Sequence, residues 1–158
     1  MLTYNKVIFV CRSNTCRSPM AAAIFNNCMP KKELQAESRG VVVLFPEPAN
    51  PKAVAIGKSR GIDLEEYRTR QLEEEDFGED VLVLVMSDKL KAGIYEDYKE
   101  AVNVYTVKEF VEEIGDVGDP YGGDLAAYGE FCDELEQLIA KVIAKIEKEE
   151  IKGRQENF

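Results

Sequence analysis

Short apolar runs and amphipathic segments alternate along this chain. Runs rich in β-branched and aromatic residues predict four strands, at about 6–10, 34–43, 81–86 and 102–105. The run at 81–86 is apolar at every position, which is typical of a parallel strand covered on both faces. Strands that alternate with helices, joined by right-handed crossovers, predict a doubly wound α/β sheet of about four parallel strands flanked by helices.

Start and stop signals delimit the predicted helices. Ser18-Pro19 opens a helix that stops near Pro30, and Asn50-Pro51 opens another that ends by Gly61. Further helices are predicted over 87–98, after the capping box Thr106-x-x-Glu109 up to Gly115, and from the cap Asp124 onward. The acidic run 73–76 is expected to be a solvated turn or helix start. We predict a single domain over 1–151 and a polar, frayed C-terminal tail over 152–158.

Composition narrows the function. The 158 residues include 20 basic and 30 acidic side chains, for a net charge of −10, so we expect no nucleic-acid partner. No apolar run is long enough to span a bilayer, and the N-terminus predicts a strand and not a signal peptide. The four cysteines have no C-x-x-C spacing and histidine is absent, so we expect no metal, no cofactor and a cytoplasmic location with reduced thiols.

The first loop carries the candidate chemistry, because ligands of such sheets bind at the carboxyl ends of the strands. It begins with Cys11, and Arg17 follows after five intervening residues, just before the predicted helix. Backbone N–H groups and the positive end of a helix would converge there on an anion and favour the thiolate form of Cys11. Arg17 offers a planar fork that matches two phosphate oxygens. Ser18 could cap the helix or donate a hydrogen bond to the cysteine sulfur.

Proton transfer to a leaving group needs an acid, and without histidine a carboxylic acid is the natural donor. Asp119 lies in the turn-rich segment 118–123, between two predicted helices. Asp116 and Asp124 are rival candidates, and the spacing alone does not separate the three.

The segment 10–21, with Cys11-x5-Arg17-Ser18-Pro19, resembles the phosphate loop of the low-molecular-weight protein tyrosine phosphatases. The resemblance extends over nearly the whole chain: Ser38 matches the family's second-strand serine, 68–72 matches a further motif, and Asp119-Pro120-Tyr121 matches the late acid loop. It implies a cysteinyl-phosphate mechanism with Cys11 as nucleophile, Arg17 as phosphate clamp and Asp119 as general acid and base. It further implies loop support by Ser38 and substrate or phosphate binding by Arg12, Ser13, Asn14, Thr15, Cys16, Ser18 and Tyr121.

The resemblance predicts hydrolysis of phosphotyrosine on proteins by a monomer or weak dimer. Thr15 stands where tyrosine-directed members commonly carry isoleucine, and together with Tyr121-Gly122-Gly123 it resembles the bacterial protein-arginine phosphatase branch. Phosphoarginine is therefore the alternative substrate. An arsenate reductase would need further redox cysteines, which 87–98 lacks. Arg17 and Asp119 together argue against a non-catalytic phosphate-binding module, which has no need of a hydrolytic acid.

Several residues depart from the family pattern. Ser13 replaces a glycine, Arg12 adds a cation beside the nucleophile, and Tyr67 replaces a histidine. Cys16 either packs in the loop or forms a protective disulfide with Cys11. Cys28 and Cys132 are expected in the core.

Overall fold

A computed structural model describes residues 4–29 and 34–156, and side chains of the last helix as far as residue 149. The chain alternates strands with helices, apart from one short 3-10 helix at Glu74–Asp76. The strands and α-helices are, in chain order, β1 (Lys6–Cys11), α1 (Arg17–Cys28), β2 (Gln35–Gly40), α2 (Pro51–Ser59), β3 (Val81–Val85), α3 (Asp88–Asp97), β4 (Val104–Thr106), α4 (Val107–Phe110) and α5 (Leu125–Glu156).

The four strands form one parallel sheet in the order β2-β1-β3-β4, which confirms the predicted doubly wound fold. Side chains of β1 alternate between its faces. Val7 and Phe9 pack with α1 and α5, whereas Ile8 and Val10 pack with Ile94 of α3 on the opposite face. Both faces are therefore covered, as the all-apolar β3 requires.

The end of β2 departs from the prediction, because the strand stops at Gly40 and not at Val43. Beyond Gly40 the chain bonds to the first loop: the N–H of Val41 donates to the Cys11 carbonyl at 3.2 Å and that of Val42 to the Arg12 carbonyl at 3.0 Å. A Cβ atom at Gly40 would lie 2.8 Å from the Asn14 Cβ and 3.0 Å from the Arg12 carbonyl oxygen. Only glycine allows β2 to approach the loop this closely.

Two non-glycine residues in the left-handed region explain other differences. Asn103, at φ 56°, delays the start of β4 to Val104. Glu112, at φ 63°, reverses the chain after α4, so this helix ends at Phe110 and not at Gly115. A residue with positive φ interrupts a strand or a helix. Glycine would have predicted such a conformation from the sequence more strongly than asparagine or glutamate does.

The helix ends also correct the prediction. α1 begins at Arg17 with Cys16 as its N-cap, so Ser18 is not the cap. α2 has the predicted cap, since Asn50 accepts from the Lys52 N–H at 2.8 Å. The backbone of α5 stays helical as far as Glu156, beyond the predicted start of the frayed tail at Lys152.

Three smaller points complete the comparison with the sequence. Cys132 is buried as expected, whereas Cys28, the last residue of α1, is exposed. Pro30, where α1 was expected to stop, lies outside the described residues. In the part of the chain that the structure describes, no helix has the length and apolarity to cross a membrane.

Candidate active site

The loop between β1 and α1 forms the floor of a cavity of about 350 Å³ at the carboxyl ends of the strands. Eight predicted site residues line this cavity, namely Cys11, Arg12, Ser13, Thr15, Cys16, Arg17, Asp119 and Tyr121. Asn50 and Tyr128 also line it and were not predicted from the sequence. The fold brings Asn50 to the cavity, because its N–H donates to the Thr15 carbonyl at 2.8 Å.

Backbone N–H groups of the loop are available to an anion. No hydrogen bond within residues 4–29 and 34–156 takes up the N–H groups of residues 13–16, which lie outside any strand or helix. The first N–H groups of α1 follow directly. Consecutive free donors at the positive end of a helix are a characteristic binding site for phosphate.

Cys11 lies at the bottom of the cavity with only 2% of its surface exposed. Its sulfur is 2.9 Å from the Ser18 hydroxyl oxygen. Ser18 accepts a hydrogen bond from the Asn14 amide at 2.7 Å, and its one hydroxyl proton has two acceptors within reach, the Cys11 sulfur and, at 3.4 Å, the Arg39 carbonyl oxygen. The longer contact to Arg39 is the weaker of the two, so the sulfur is the preferred acceptor. A donated hydrogen bond favours the thiolate, the nucleophilic form of cysteine. The expected donation from Ser18 to Cys11 therefore has the geometry it needs, whereas the expected cap does not form.

A buried hydrogen-bond chain behind the loop holds Asn14 in place. Asn14 has φ 63° and is completely buried. Its side-chain oxygen accepts from the Tyr67 hydroxyl and, at 2.9 Å, from the Arg70 N–H. Because Tyr67 gives its proton to Asn14, the Ser38 hydroxyl, 2.6 Å away, must donate to Tyr67. The donations run from Ser38 through Tyr67, Asn14 and Ser18 to Cys11.

These contacts define the part that each buried side chain plays. Asn14 and Ser18 point into the protein and not into the cavity, so side-chain contact with a substrate is closed to them. Only their backbone N–H groups could reach phosphate. Tyr67, which the sequence marked only as a departure from histidine, links Ser38 to the loop. Burial raises the pKa of Tyr67, so its hydroxyl stays protonated as a donor.

The substitution Tyr67→Phe should weaken this chain of hydrogen bonds. It removes the donor to Asn14 and leaves the Ser38 hydroxyl without its acceptor. We expect unfolding free energy to fall by about 1–3 kcal/mol and kcat/KM for an aryl phosphate to fall about tenfold, which needs about 1.4 kcal/mol in the transition state. Tyr95→Phe is the control, because the Tyr95 hydroxyl accepts from the Val104 N–H at 3.2 Å on β4. Equal stability losses with undiminished kcat/KM in both variants would exclude a positioning role for Tyr67.

The three candidate carboxylates have different surroundings. Asp116 accepts at 3.0 Å from the N–H of Asp88, the first residue of α3, whose N-cap is Ser87. Asp124 accepts from the Ala127 N–H at 2.9 Å and so caps α5. Asp119 alone of the three lines the cavity with Cys11, and its carboxylate lies 3.7 Å from the guanidinium of Arg17.

Arg17 is held beside the loop by the same segment. Its guanidinium donates to the Val117 carbonyl at 3.2 Å. The Asp119 side chain is 51% exposed, so solvent screens its pairing with Arg17 and the contact is weak. The pairing with Asp119 therefore competes only weakly with an anion for the guanidinium of Arg17. The Asp119 carboxylate also accepts from the Tyr121 N–H at 3.0 Å, which fixes the turn.

Cys16 occupies the same loop as a buried thiol. Burial, followed by the charge of Cys11, raises the pKa of Cys16 to about 12. Its thiol therefore stays protonated at neutral pH. Peroxide should react first with Cys11, whose sulfur lies 2.9 Å from the Ser18 hydroxyl and beside the free N–H groups of the loop.

Peroxide should therefore inactivate the protein reversibly through a Cys11–Cys16 disulfide. Oxidation converts Cys11 to a sulfenic acid, and the Cys16 thiol displaces water from it to form the S–S bond. Mass spectrometry should detect the linked loop peptide, and Cys16→Ser should convert reversible into irreversible loss. Cys28→Ser, which changes an exposed thiol, is the control and should behave as wild type. A wild-type protein oxidised only to sulfinic or sulfonic Cys11 would exclude a resolving role for Cys16.

Comparison with known proteins agrees with this geometry. The family model described as low molecular weight phosphotyrosine protein phosphatase matches residues 6–152. The chain belongs to this family. Membership confirms the resemblance seen in the sequence and places the chain among cysteine-dependent phosphatases.

Relatives within the family carry two kinds of name. A protein-arginine-phosphatase of Geobacillus stearothermophilus is 37% identical over 150 residues, covering 92% of this chain and 98% of the relative. A low molecular weight protein-tyrosine-phosphatase of Staphylococcus aureus is 34% identical, covering 87% and 96%. The crystal structure of a low molecular weight protein tyrosine phosphatase from T. tengcongensis superposes with a TM-score of 0.83 at 42% identity, covering 89% and 98%.

Proposed function

We propose that this protein hydrolyses phosphotyrosine side chains of proteins through a cysteinyl-phosphate intermediate. The observation that carries the proposal is the meeting of Cys11, Arg17 and Asp119 in one cavity, above four free backbone N–H groups at residues 13–16. These are a nucleophile, a phosphate clamp, a carboxylic acid and an anion nest. Together they supply each group that transfer of a phosphoryl group requires.

In the first step, the Cys11 thiolate attacks phosphorus and the bond from phosphorus to the tyrosine oxygen breaks. Asp119, in its protonated form, gives its proton to the departing oxygen. The loop N–H groups and Arg17 hold the other three phosphate oxygens, whose charge they stabilise without reorganising. The hydrogen bond from Ser18 supports the sulfur as thiolate before the attack.

In the second step, water attacks the cysteinyl phosphate. Asp119, now ionised, takes a proton from that water while the sulfur–phosphorus bond breaks and Cys11 leaves as thiolate. Inorganic phosphate is released and the proton on Asp119 restores the starting state. Asp119 is suited to both steps because its carboxylate is half exposed, so water can reach it.

Depth of the nucleophile favours a long substrate side chain. Because Cys11 is 2% exposed at the bottom of the cavity, a phosphotyrosine reaches it more readily than a phosphoserine. We expect kcat/KM for a phosphotyrosine peptide to exceed that for the matched phosphoserine peptide by about 100-fold or more, which is within what pocket geometry can discriminate. Phosphate release from both peptides measures this ratio. No release from phosphotyrosine, or equal rates for the two peptides, would contradict the proposal.

Phosphoarginine is the second candidate, and Thr15 favours it. Thr15 lines the cavity, and its hydroxyl lies 3.0 Å from the Ser13 hydroxyl, so a polar pair stands at the wall. A guanidinium leaving group could hydrogen-bond to such a pair, whereas a phenol ring gains more from an apolar wall. The name of the Geobacillus relative points the same way.

Thr15→Ile tests which leaving group the wall prefers. Replacing the hydroxyl by a larger apolar group should shift the kcat/KM ratio toward phosphotyrosine peptides, against phosphoarginine peptides, by about tenfold, or about 1.4 kcal/mol. Thr15→Val removes the hydroxyl at nearly constant volume and separates polarity from bulk. An unchanged ratio in both variants would show that Thr15 does not select the leaving group.

A further inference from the structure

A cavity larger than the catalytic one lies beside the phosphate loop, not on it. This groove has a volume of about 620 Å³ and runs between the loop after β2 and helix α3. Its principal lining residues are Arg12, Val42, Lys89, Leu90, Gly93 and Tyr98. Such a volume is typical of a ligand site. We call this cavity the α3 groove.

The α3 groove adjoins the catalytic cavity. Arg12 and Arg17 line both, and Arg12 is the residue directly after the nucleophile. A chain whose phosphorylated side chain enters the catalytic cavity can therefore lay its neighbouring residues into the α3 groove. Nothing in the reaction of a small aryl phosphate requires this second space.

Charge and polarity of the groove define its ligand. The protein carries a net charge of −10, yet three cationic side chains, Arg12, Arg17 and Lys89, line the groove. Within the described side chains, neither Arg12 nor Lys89 has a carboxylate within ion-pair distance. Asp97 is the one carboxylate among the lining residues and stands at the last position of α3.

Apolar side chains cover the remainder of the wall. Val42 is 51% exposed, and Leu90 and Tyr98 contribute further apolar surface from α3. A ligand that matches the cationic side chains and the apolar wall needs a carboxylate and, beside it, an apolar group.

We propose that the α3 groove binds the segment of the phosphoprotein substrate beside the phosphorylated residue, and selects an acidic residue there. This proposal rests on the proposed function. The carboxylate would pair with Arg12 and Lys89, and a neighbouring apolar side chain would pack on Val42 and Leu90. The groove thus selects among phosphoproteins, whereas the catalytic cavity selects the phosphorylated side chain. Partial desolvation in the groove makes such charge pairing discriminating.

Gly93 offers a way to block the α3 groove without disturbing the protein. It lies within α3, and a Cβ atom there would have no other atom within 4 Å. Gly93→Phe should therefore place its ring in the groove. Gly93→Ala is the control, since it also raises helix propensity above that of glycine but does not fill the space.

The experiment compares kcat/KM for an aryl phosphate and for phosphotyrosine peptides that carry Glu, Gln or Lys on either side of the phosphotyrosine. We expect wild type and Gly93→Ala to prefer Glu over Lys peptides about tenfold, the equivalent of about 1.4 kcal/mol. Gly93→Phe should lose about tenfold on Glu peptides and stay within twofold on the aryl phosphate. Lys89→Glu should abolish or reverse the preference for Glu.

Equal treatment of all peptides by wild type, or full activity of Gly93→Phe on Glu peptides, would overturn the proposal. So would an equal loss on the aryl phosphate, because the groove would then act on the loop and not on the substrate. The same peptides with a fluorescent label report binding without the need for turnover. This measurement tests the groove separately from the proposed function. If wild type hydrolyses no phosphate ester, weaker binding of Glu peptides by Gly93→Phe than by Gly93→Ala still supports the groove, and equal binding overturns it.

Discussion

Cys11→Ser should abolish turnover and leave phosphate binding intact. A serine hydroxyl is a far weaker nucleophile than the thiolate, whereas the free N–H groups of residues 13–16 and Arg17 are unchanged. We expect the rate on an aryl phosphate to fall more than about a thousandfold, as the loss of a nucleophile commonly costs several orders of magnitude. Phosphate and vanadate should bind to the variant and raise its melting temperature.

Cys28→Ser provides the matched control, since it makes the same substitution at an exposed cysteine at the end of α1. It should retain wild-type turnover. Turnover by Cys11→Ser above about a thousandth of the wild-type rate would contradict the assignment of the nucleophile. Loss of phosphate binding together with turnover would instead show that the loop had not kept its conformation.

Asp119→Ala should have an effect that depends on the leaving group. A phenolate of high basicity needs a proton as it departs, so hydrolysis of a phosphotyrosine peptide should slow by about 10²–10³-fold, within the range typical of a general acid. Nitrophenolate needs little protonation, so loss on nitrophenyl phosphate should be smaller. Presteady-state rates of leaving-group release for the two substrates measure this difference in the first step.

Asp116→Ala and Asp124→Ala are matched controls for Asp119→Ala. Each removes a carboxylate that accepts from an N–H at the start of a helix, at α3 and α5 respectively. We expect both to lose about 1 kcal/mol of stability, the usual contribution of such a hydrogen bond or cap, and to keep the wild-type dependence on the leaving group. A larger loss on the phosphotyrosine peptide than on nitrophenyl phosphate in one of these controls, and not in Asp119→Ala, would show that the general acid is a different residue.

The fold was predictable from the sequence because its main signals are local. The unbroken apolar run of β3 indicates a sheet covered on both faces, and Asn50 and Asp124 mark helix starts that the structure confirms. Errors fall where tertiary contacts override local pattern. β2 ends at Gly40 since the following valines bond to the phosphate loop, and α1 begins at Arg17 because the loop turns directly into the helix.

The part of the candidate site that lies within one sequence motif was predictable. The loop from Cys11 to Ser18 is contiguous in sequence, and Asp119 was found through a second motif. Asp119 could be distinguished from Asp116 only in the fold, because the Asp116 carboxylate accepts from the N–H of Asp88, which is 28 positions away in the chain. Tyr67 and Ser38 meet Asn14 across distant segments, so their hydrogen-bond chain was also out of reach.

Cys28 shows a different limit of sequence patterns. An apolar face predicts burial only as long as the helix remains packed, and Cys28 is the last residue of α1. The α3 groove was likewise invisible, because it lies between two segments that are about 50 residues apart and meet only in the folded sheet.

Trapping of the intermediate tests the central claim most directly. Enzyme mixed with a phosphotyrosine peptide, quenched within one turnover under conditions that preserve phosphocysteine, and digested for mass spectrometry should yield the loop peptide with one phosphoryl group on Cys11. The amount should match the burst of released tyrosine peptide and decay as phosphate appears. Phosphate release with no phosphorylated Cys11 at any time, or a phosphoryl group on another residue, would contradict the account.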